Sequence, residues 1–408
     1  MNNLTTSILG NHAAQLGNPP FVAMEPSLTG RSEALISRVG RFSSPLLVCD
    51  ANTYSALGKR IQEELGNTTL HILPEPVHAD MMTVERLLAH PCDAMIAVGS
   101  GTINDLCKLA SYRKNIPYVV FPTAPSMNGY VSPNASIATH GFKTSQPAHM
   151  PAGVFCDLDV LSNAPYRLIR SGVGDVMCRS TCQVDWYTSH VLLGTYYSDI
   201  PFALLAPHEK QIVAMAHTFP ERNHDAIHAL MMALLAGGFG MALCGGSYPA
   251  SQGEHLIAHT MEMFFAESAH AYHGEEIAVT TLVMERIQRT FLSRETLDLV
   301  FDRSDTFNNV PDVLRQDAIR ETHTKYGMEN LRMLSIAGGK WNALRQTVRA
   351  MMLPEGTLHN TLAAAQCPLI IEDLGWNAAD FSIAEHNAHL MRNRFTFLDI
   401  AALYPRPR

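Results

Sequence analysis

The sequence predicts an α/β N-terminal domain with a doubly wound, mainly parallel sheet, followed by an all-α C-terminal domain. Three observations carry this. Between residues 40 and 160, short apolar runs alternate with stretches of helical spacing, as in strands joined by crossover helices. After residue 165, long stretches at 3.6-residue periodicity run nearly to the end, with few β-branched blocks. The chain has 408 residues, too many for one ordinary core, and it divides as 1–165 and 166–408.

In chain order, MNNLTTSILGNHAAQLGNPP has no apolar core and no basic residue before Arg31, which argues against a signal peptide. SPLLVCD (44–50), LHILPE (70–75), DAMIAVG (93–99), PYVVFPT (117–123) and GVFCDLDVL (153–161) read as buried strands. TYSALGKRIQEEL and TVERLLAH between them carry helical spacing. VSPNASIATHGFKTSQPAHM reads as a hairpin or irregular excursion before the last strand, and the domain boundary falls near NAPYRLIRSGVGD. ALMMALLAGGFGMALCGG (229–246) just reaches membrane-spanning length, but it carries five glycines and runs directly into a stretch rich in histidine. It reads as a buried helix, and no membrane partner is expected.

Composition narrows the function. Hydrophobic residues make up 47% and charged residues 17%, which excludes a disordered chain. Thirty-eight acids against 30 bases give a net charge of −8, with no Lys/Arg cluster, which disfavours nucleic acid. The eight cysteines include no CxxC pair, which fits a reducing, cytoplasmic setting. Cys178 and Cys182, four apart in CRSTC, read as two buried thiols on one helix face.

Several motifs carry chemistry. DAMIAVGSGTINDLCKLASYR places a strand, then Gly99-Ser100-Gly101-Thr102, then a helix beginning near Ile103. Such a loop brings backbone N–H groups to a pyrophosphate, but many tight turns look the same, and the G-x-G-x-x-G spacing is missing. Asp105 lies in the first helical turn, where a carboxylate also suits the helix dipole. Asp50 closes the strand SPLLVCD, where an acid accepts from the adenine-ribose hydroxyls and repels a 2′-phosphate; a helix cap is the other reading. FPTAPSMNGYVS follows a buried strand, and its Thr123, Ser126 and Ser132 are either cofactor donors or plain turn residues.

The histidine motif, GEHLIAHTMEMFFAESAHAYHGEE, holds four histidines, at 255, 259, 270 and 273. His255 and His259 share one helix face, and His273-Gly274 marks a break where another helix begins. HLIAH is not the H-E-x-x-H of zinc proteases. A catalytic divalent site needs about three protein ligands, which two of these histidines and a carboxylate would supply. The carboxylate candidate is Asp175 in RSGVGDVMCRSTCQVDW, beginning an apolar helix after Gly172 and Gly174; an N-cap role is the bland alternative.

The ordered set VCDANTY, AVGSGTINDL, PTAPSMNGYVS, KTSQPAHMPAGVFCDLDVL, SGVGDVMCRSTCQVDW, GGSYPASQGEHLIAHTMEMF, HGEEIAV and MRNRFTFLDIA covers most of the chain. It resembles the metal-dependent polyol dehydrogenases that share a fold with dehydroquinate synthase. Within them it is most similar to the sn-glycerol-1-phosphate dehydrogenases, especially the bacterial type encoded in arabinose operons. The resemblance implies a dehydroquinate synthase-like fold and reduction of dihydroxyacetone phosphate to sn-glycerol 1-phosphate with NAD or NADP. It implies Asp175, His255 and His273 as ligands of one zinc or nickel ion; a carboxylate with two imidazoles suits iron as well. It implies His259 and Asp175 at the substrate and in catalysis, with Asn128 also at the substrate. It implies Asp50, Gly99, Ser100, Gly101, Thr102, Ile103, Asp105, Thr123, Ala124, Pro125, Ser126 and Ser132 at the cofactor. His270 matches nothing in the site and reads as a packing or surface residue. A small anionic substrate and a homo-oligomer, dimer or larger, are expected, with Lys143, Arg170 and Arg179 as candidates for gripping a phosphate.

One position departs from the pattern. The aspartate of the family's TAPS-x-D-G turn is Asn128 here, which keeps hydrogen bonding but loses the charge. A neutral residue suits a more anionic substrate, so a phosphonate or phosphorylated aldehyde is the alternative. A dehydroquinate synthase-like lyase is disfavoured, because that group has a metal-binding glutamate followed three residues later by a catalytic lysine, and here Asp175 is followed by Val176, Met177 and Cys178. A non-catalytic NAD- and metal-binding protein is disfavoured by the intact ligand set.

Overall fold

The computed structural model describes residues 3–139, 142–265, 271–300 and 325–404. A six-stranded sheet has the order β1-β8-β5-β4-β2-β3, and every neighbouring pair is parallel. Its strands are β1 (Phe21–Glu25), β2 (Pro45–Cys49), β3 (Thr69–Ile72), β4 (Ala94–Gly99), β5 (Tyr118–Pro122) and β8 (Gly153–Asp157). β2, β4, β5 and β8 are buried along their whole length, as continuous apolar runs in a sheet covered on both faces should be. β6 (Asn134–Thr139) and β7 (Phe142–Pro147) form the separate antiparallel hairpin. The expected strand 153–161 is shorter than its apolar run. Asp157 caps a helix, Leu158–Ser162, by accepting from the Val160 N–H. β1 lies before the stretch in which strands were expected.

By packing, the chain forms two compact units: residues 1–176 with 203–246, and 177–202 with 247–408. The first therefore takes in two helical segments beyond residue 165. The apolar segment is the helix His224–Cys244; it is long and apolar enough to cross a membrane, yet 78% of its most apolar window is buried inside the protein. The second unit is helical among its described residues. Its core gathers Val184, Leu256, Trp341, Leu344 and Phe397.

Glycine decides how the first unit closes over the turn after β5. A Cβ on Gly172, in the helix Tyr166–Met177, would sit 1.9 Å from the Pro125 carbonyl oxygen. A Cβ on Gly238, in the helix His224–Cys244, would sit 2.6 Å from the Asn128 carbonyl oxygen. Two helices thus press their backbones onto one turn, which is why this apolar helix needs glycine. Gly172→Ala is expected to destabilise the protein by about 3 kcal/mol, the upper end for overpacking, because the obstacle is backbone. Urea unfolding checks this, and a change under about 0.5 kcal/mol would mean that the turn yields freely.

Candidate functional site

β2, β4 and β5 are neighbours, and their carboxyl ends bring the expected cofactor residues of the first unit together. Asp50 follows β2. β4 ends at Gly99, paired with Pro122 of β5, and the Thr123 N–H donates to the Gly99 carbonyl at 3.2 Å. Crevices at the carboxyl ends of parallel strands are where α/β sheets bind ligands. The helix after β4 runs Gly101–Lys114, two residues earlier than the sequence implied, with Ser100 as N-cap and no capping bond from its side chain. Its first-turn N–H groups lack intrahelical acceptors, as at any helix start, and suit an anion. Gly99 leaves room for Ile103, whose Cδ1 would lie 2.5 Å from an added Cβ.

Asp50 caps the next helix: its Oδ1 accepts from the Thr53 N–H at 2.7 Å and from the Thr53 hydroxyl at 2.9 Å. Two expected cofactor residues turn out to be engaged in the frame. The Asp105 carboxylate accepts from Asn104, Lys108 and the Ser136 N–H. The Ser132 hydroxyl reaches the carbonyls of Gly129 and Asn134. Both surround a residue that the sequence reading missed. Lys108 is fully buried, and its Nζ donates to the Gly129 carbonyl at 2.6 Å, the Asn134 carbonyl at 3.1 Å and Ser132 Oγ at 3.2 Å. Burial lowers its pKa, while Asp105 pulls the other way. The signal was a lysine in the apolar run LCKLA, three residues after an acid.

Asp175 lies near the end of the helix Tyr166–Met177 rather than at a helix start, so it is no N-cap. It is 2% exposed, and its Oδ2 accepts the Asn128 backbone N–H at 2.7 Å. Asn128 thus meets the acid through its main chain. Ala124 accepts from the buried Tyr130 hydroxyl at 2.6 Å, and the Ser126 carbonyl accepts from Ser171 at 3.2 Å, which pins the turn at both ends.

In the second unit, His255 and His259 lie on the helix Gly253–Phe264, and His273 opens the helix His273–Leu292. Their ring centroids form a triangle with sides of 5.1, 5.5 and 5.8 Å. Each Nδ1 edge lies toward a carboxylate: Glu254 for His255 at 2.8 Å, Glu262 for His259 at 2.9 Å, and Glu262 for His273 at 3.8 Å. The buried His273 Nδ1 has no hydrogen-bond partner among the described residues. Close imidazoles backed by carboxylates are the chemistry of a divalent metal site, so these residues fit one. His270 and the side chain of Lys143 lie outside the described residues. Arg179, 8% exposed, donates to Gln183 at 2.9 Å.

Glu254 is fully buried. Burial alone would raise its pKa, but bonds from His255, Cys182 and the Gln252 N–H outweigh that and hold it below the usual value. Cys178 and Cys182 are both buried, with sulfurs 3.8 Å apart, as the reading of two packed thiols requires. Asp185 accepts from the Gly253 and Phe397 N–H groups and from Gln288. Burial, then repulsion from Glu254, pushes it from 3.8 up to about 8. The folded state therefore holds a proton that the unfolded chain has released, so stability falls as pH rises from 3.8 to about 8. Asp185→Asn is expected to flatten that slope in urea midpoints measured across the window; an unchanged slope would assign it to other groups.

The iron-containing alcohol dehydrogenase family matches residues 23–165. A glycerol-1-phosphate dehydrogenase [NAD(P)+] of Thermococcus kodakarensis is 32% identical over 67% of this chain and 78% of its own. One from Bacillus subtilis is 30% identical over 87% of this chain and 84% of its own. The fold matches an NADH-dependent butanol dehydrogenase of Thermotoga maritima, with a TM-score of 0.61 at 14% identity over 95% of this chain and 98% of that one. The chain belongs to the glycerol-1-phosphate dehydrogenases, a family of NAD(P)- and metal-dependent oxidoreductases that act on small molecules.

Proposed function

We propose that this enzyme reduces dihydroxyacetone phosphate to sn-glycerol 1-phosphate, with the metal on Asp175, His255 and His273. The observation that carries the reading is the imidazole triangle with its carboxylates at the Nδ1 edges. When bound, the divalent ion supplies Lewis-acid polarisation of the carbonyl, and the nicotinamide supplies hydride. Gly99–Ile103 and Thr123–Ser126 hold the cofactor, with Asp105 and Ser132 framing the turn beside them. Asp50 favours NAD over NADP, since its carboxylate opposes a 2′-phosphate. His259, steadied by Glu262, delivers the proton to the product oxygen. In this reading 1–165 is the nucleotide-binding part and 166–408 the metal- and substrate-binding part. The protein is a cytoplasmic homo-oligomer, and zinc, nickel and iron are the candidate ions.

The test is NADH oxidation by apo protein reloaded with single metal ions, against dihydroxyacetone phosphate, dihydroxyacetone and an aldehyde phosphonate. The phosphorylated ketone is expected to exceed dihydroxyacetone by at least about tenfold in kcat/KM, since charge-assisted bonds contribute roughly 1.5–3 kcal/mol. Preference for the phosphonate would favour the second reading, which rests on the neutral Asn128. Asn128→Asp leaves the backbone bond to Asp175 in place but adds a charge beside an anionic substrate. On the second reading it is expected to raise KM for the anionic substrate by roughly tenfold; on the first it changes little, since aspartate is the residue of the family's own turn. Higher activity with dihydroxyacetone phosphate and no other change would sink the idea that a neutral residue suits a more anionic substrate.

A further inference from the structure

We infer that Glu254 is a positioning residue for the metal: it fixes the tautomer and orientation of His255, so that Nε2 is the ligand atom. The inference deepens the proposed function and rests on its reading of His255 as a ligand.

The argument runs through donors and acceptors. Glu254 Oε1 takes the Gln252 N–H at 2.7 Å and the Cys182 thiol at 3.0 Å, and it lies 2.8 Å from His255 Nδ1. Oε2 takes the Thr181 hydroxyl at 3.4 Å. A backbone N–H can only donate, and an ionised carboxylate can only accept, so Oε1 is an acceptor to every group on it. The third of these, His255 Nδ1, therefore carries its proton. An imidazole with hydrogen on Nδ1 presents its lone pair at Nε2, on the opposite edge of the ring. Glu254 is itself locked from two sides: it is 0% exposed, and the Gly253 N–H beside it is held by Asp185 Oδ2 at 3.1 Å. Ring and carboxylate are adjacent in sequence on one helix, so neither can turn without breaking that set. Carboxylate–imidazole pairs of this kind raise ligand basicity and pre-orient the ring, and their loss costs roughly 10- to 100-fold in metal affinity.

The test uses full-length apo protein and Zn²⁺ titrated against a competing chelator, with Co²⁺ absorption as a second readout. Glu254→Gln keeps the shape and is expected to weaken Zn²⁺ binding by roughly 10- to 100-fold and to shift the Co²⁺ ligand-field bands. Wild-type affinity and an unchanged Co²⁺ spectrum in a folded Glu254→Gln protein would overturn the inference. Long-range ¹H–¹⁵N spectra of histidine-labelled wild-type apo protein decide the matter without any variant at 254. The His255 signals, assigned by their loss in His255→Ala, should show the proton on Nδ1, and a proton on Nε2 would overturn it. His255→Ala separates the two failures. If that variant binds Zn²⁺ as wild type does, the ligand reading is wrong. If it loses binding while Glu254→Gln keeps it, only the positioning role is wrong.

Discussion

Asp175→Asn is expected to lower kcat/KM by roughly a thousandfold or more and to strip the metal from the purified protein. Polarisation of the carbonyl by a metal contributes several kcal/mol, and each 1.36 kcal/mol is about a tenfold change in rate. The substitution is chosen because the amide oxygen can still accept the Asn128 N–H, now 2.7 Å from Oδ2, so the helix and the turn stay joined. What disappears is the only charged member of the proposed ligand set. Metal content by atomic emission, steady-state kinetics and a thermal melt on one preparation check this. A variant that keeps its full metal and loses less than about tenfold would remove Asp175 from the ligand set.

Lys108→Met is expected to be the most destabilising change in the first unit, by about 3–5 kcal/mol. Methionine fills the volume but removes the ammonium that the carbonyls of Gly129 and Asn134 share, leaving them to the single Ser132 hydroxyl, and leaves the Asp105 carboxylate without its cation. The turn bearing Asn128 then loses its floor, while Gly172 and Gly238 still press on it from the helices. Urea unfolding measures the loss, and KM for the cofactor should rise with it. A folded variant with wild-type stability would show that the ammonium is dispensable and that the turn is held by helix packing alone.

How far the sequence could be read follows from which forces are local. The parallel strands were legible because burial on both faces writes continuous apolar runs such as AMIAVG and YVVFP. The imidazole trio was legible from spacing and resemblance together: His255 and His259 share a face, and His273 starts the next helix. Asp175 was found as a residue but misplaced in its helix, because an acid after two glycines looks like a start when it is near an end. The strand at Phe21–Glu25 was missed because FVAME follows two prolines and is only half buried. Lys108 and Asp185 escaped because their roles come from contacts between segments far apart in sequence, Lys108 with Gly129 and Asp185 with Phe397; Glu254 sits beside His255, but its burial comes from the packing of distant segments such as Cys182.

The chain passes between its two compact units at 176/177, 202/203 and 246/247. During synthesis, the sheet therefore emerges from the ribosome long before the helix whose Gly238 covers the Asn128 turn. Until residue 246 is free, that turn must wait uncovered on a sheet whose own core is already complete in sequence. A gene fragment ending at 165 would encode all six strands and the core beneath them, yet lack the two helices that press on the turn after β5, so that turn would emerge uncovered. A slow stretch of translation just after the helix His224–Cys244 would favour the native order of assembly, and one just before it would prolong the vulnerable state.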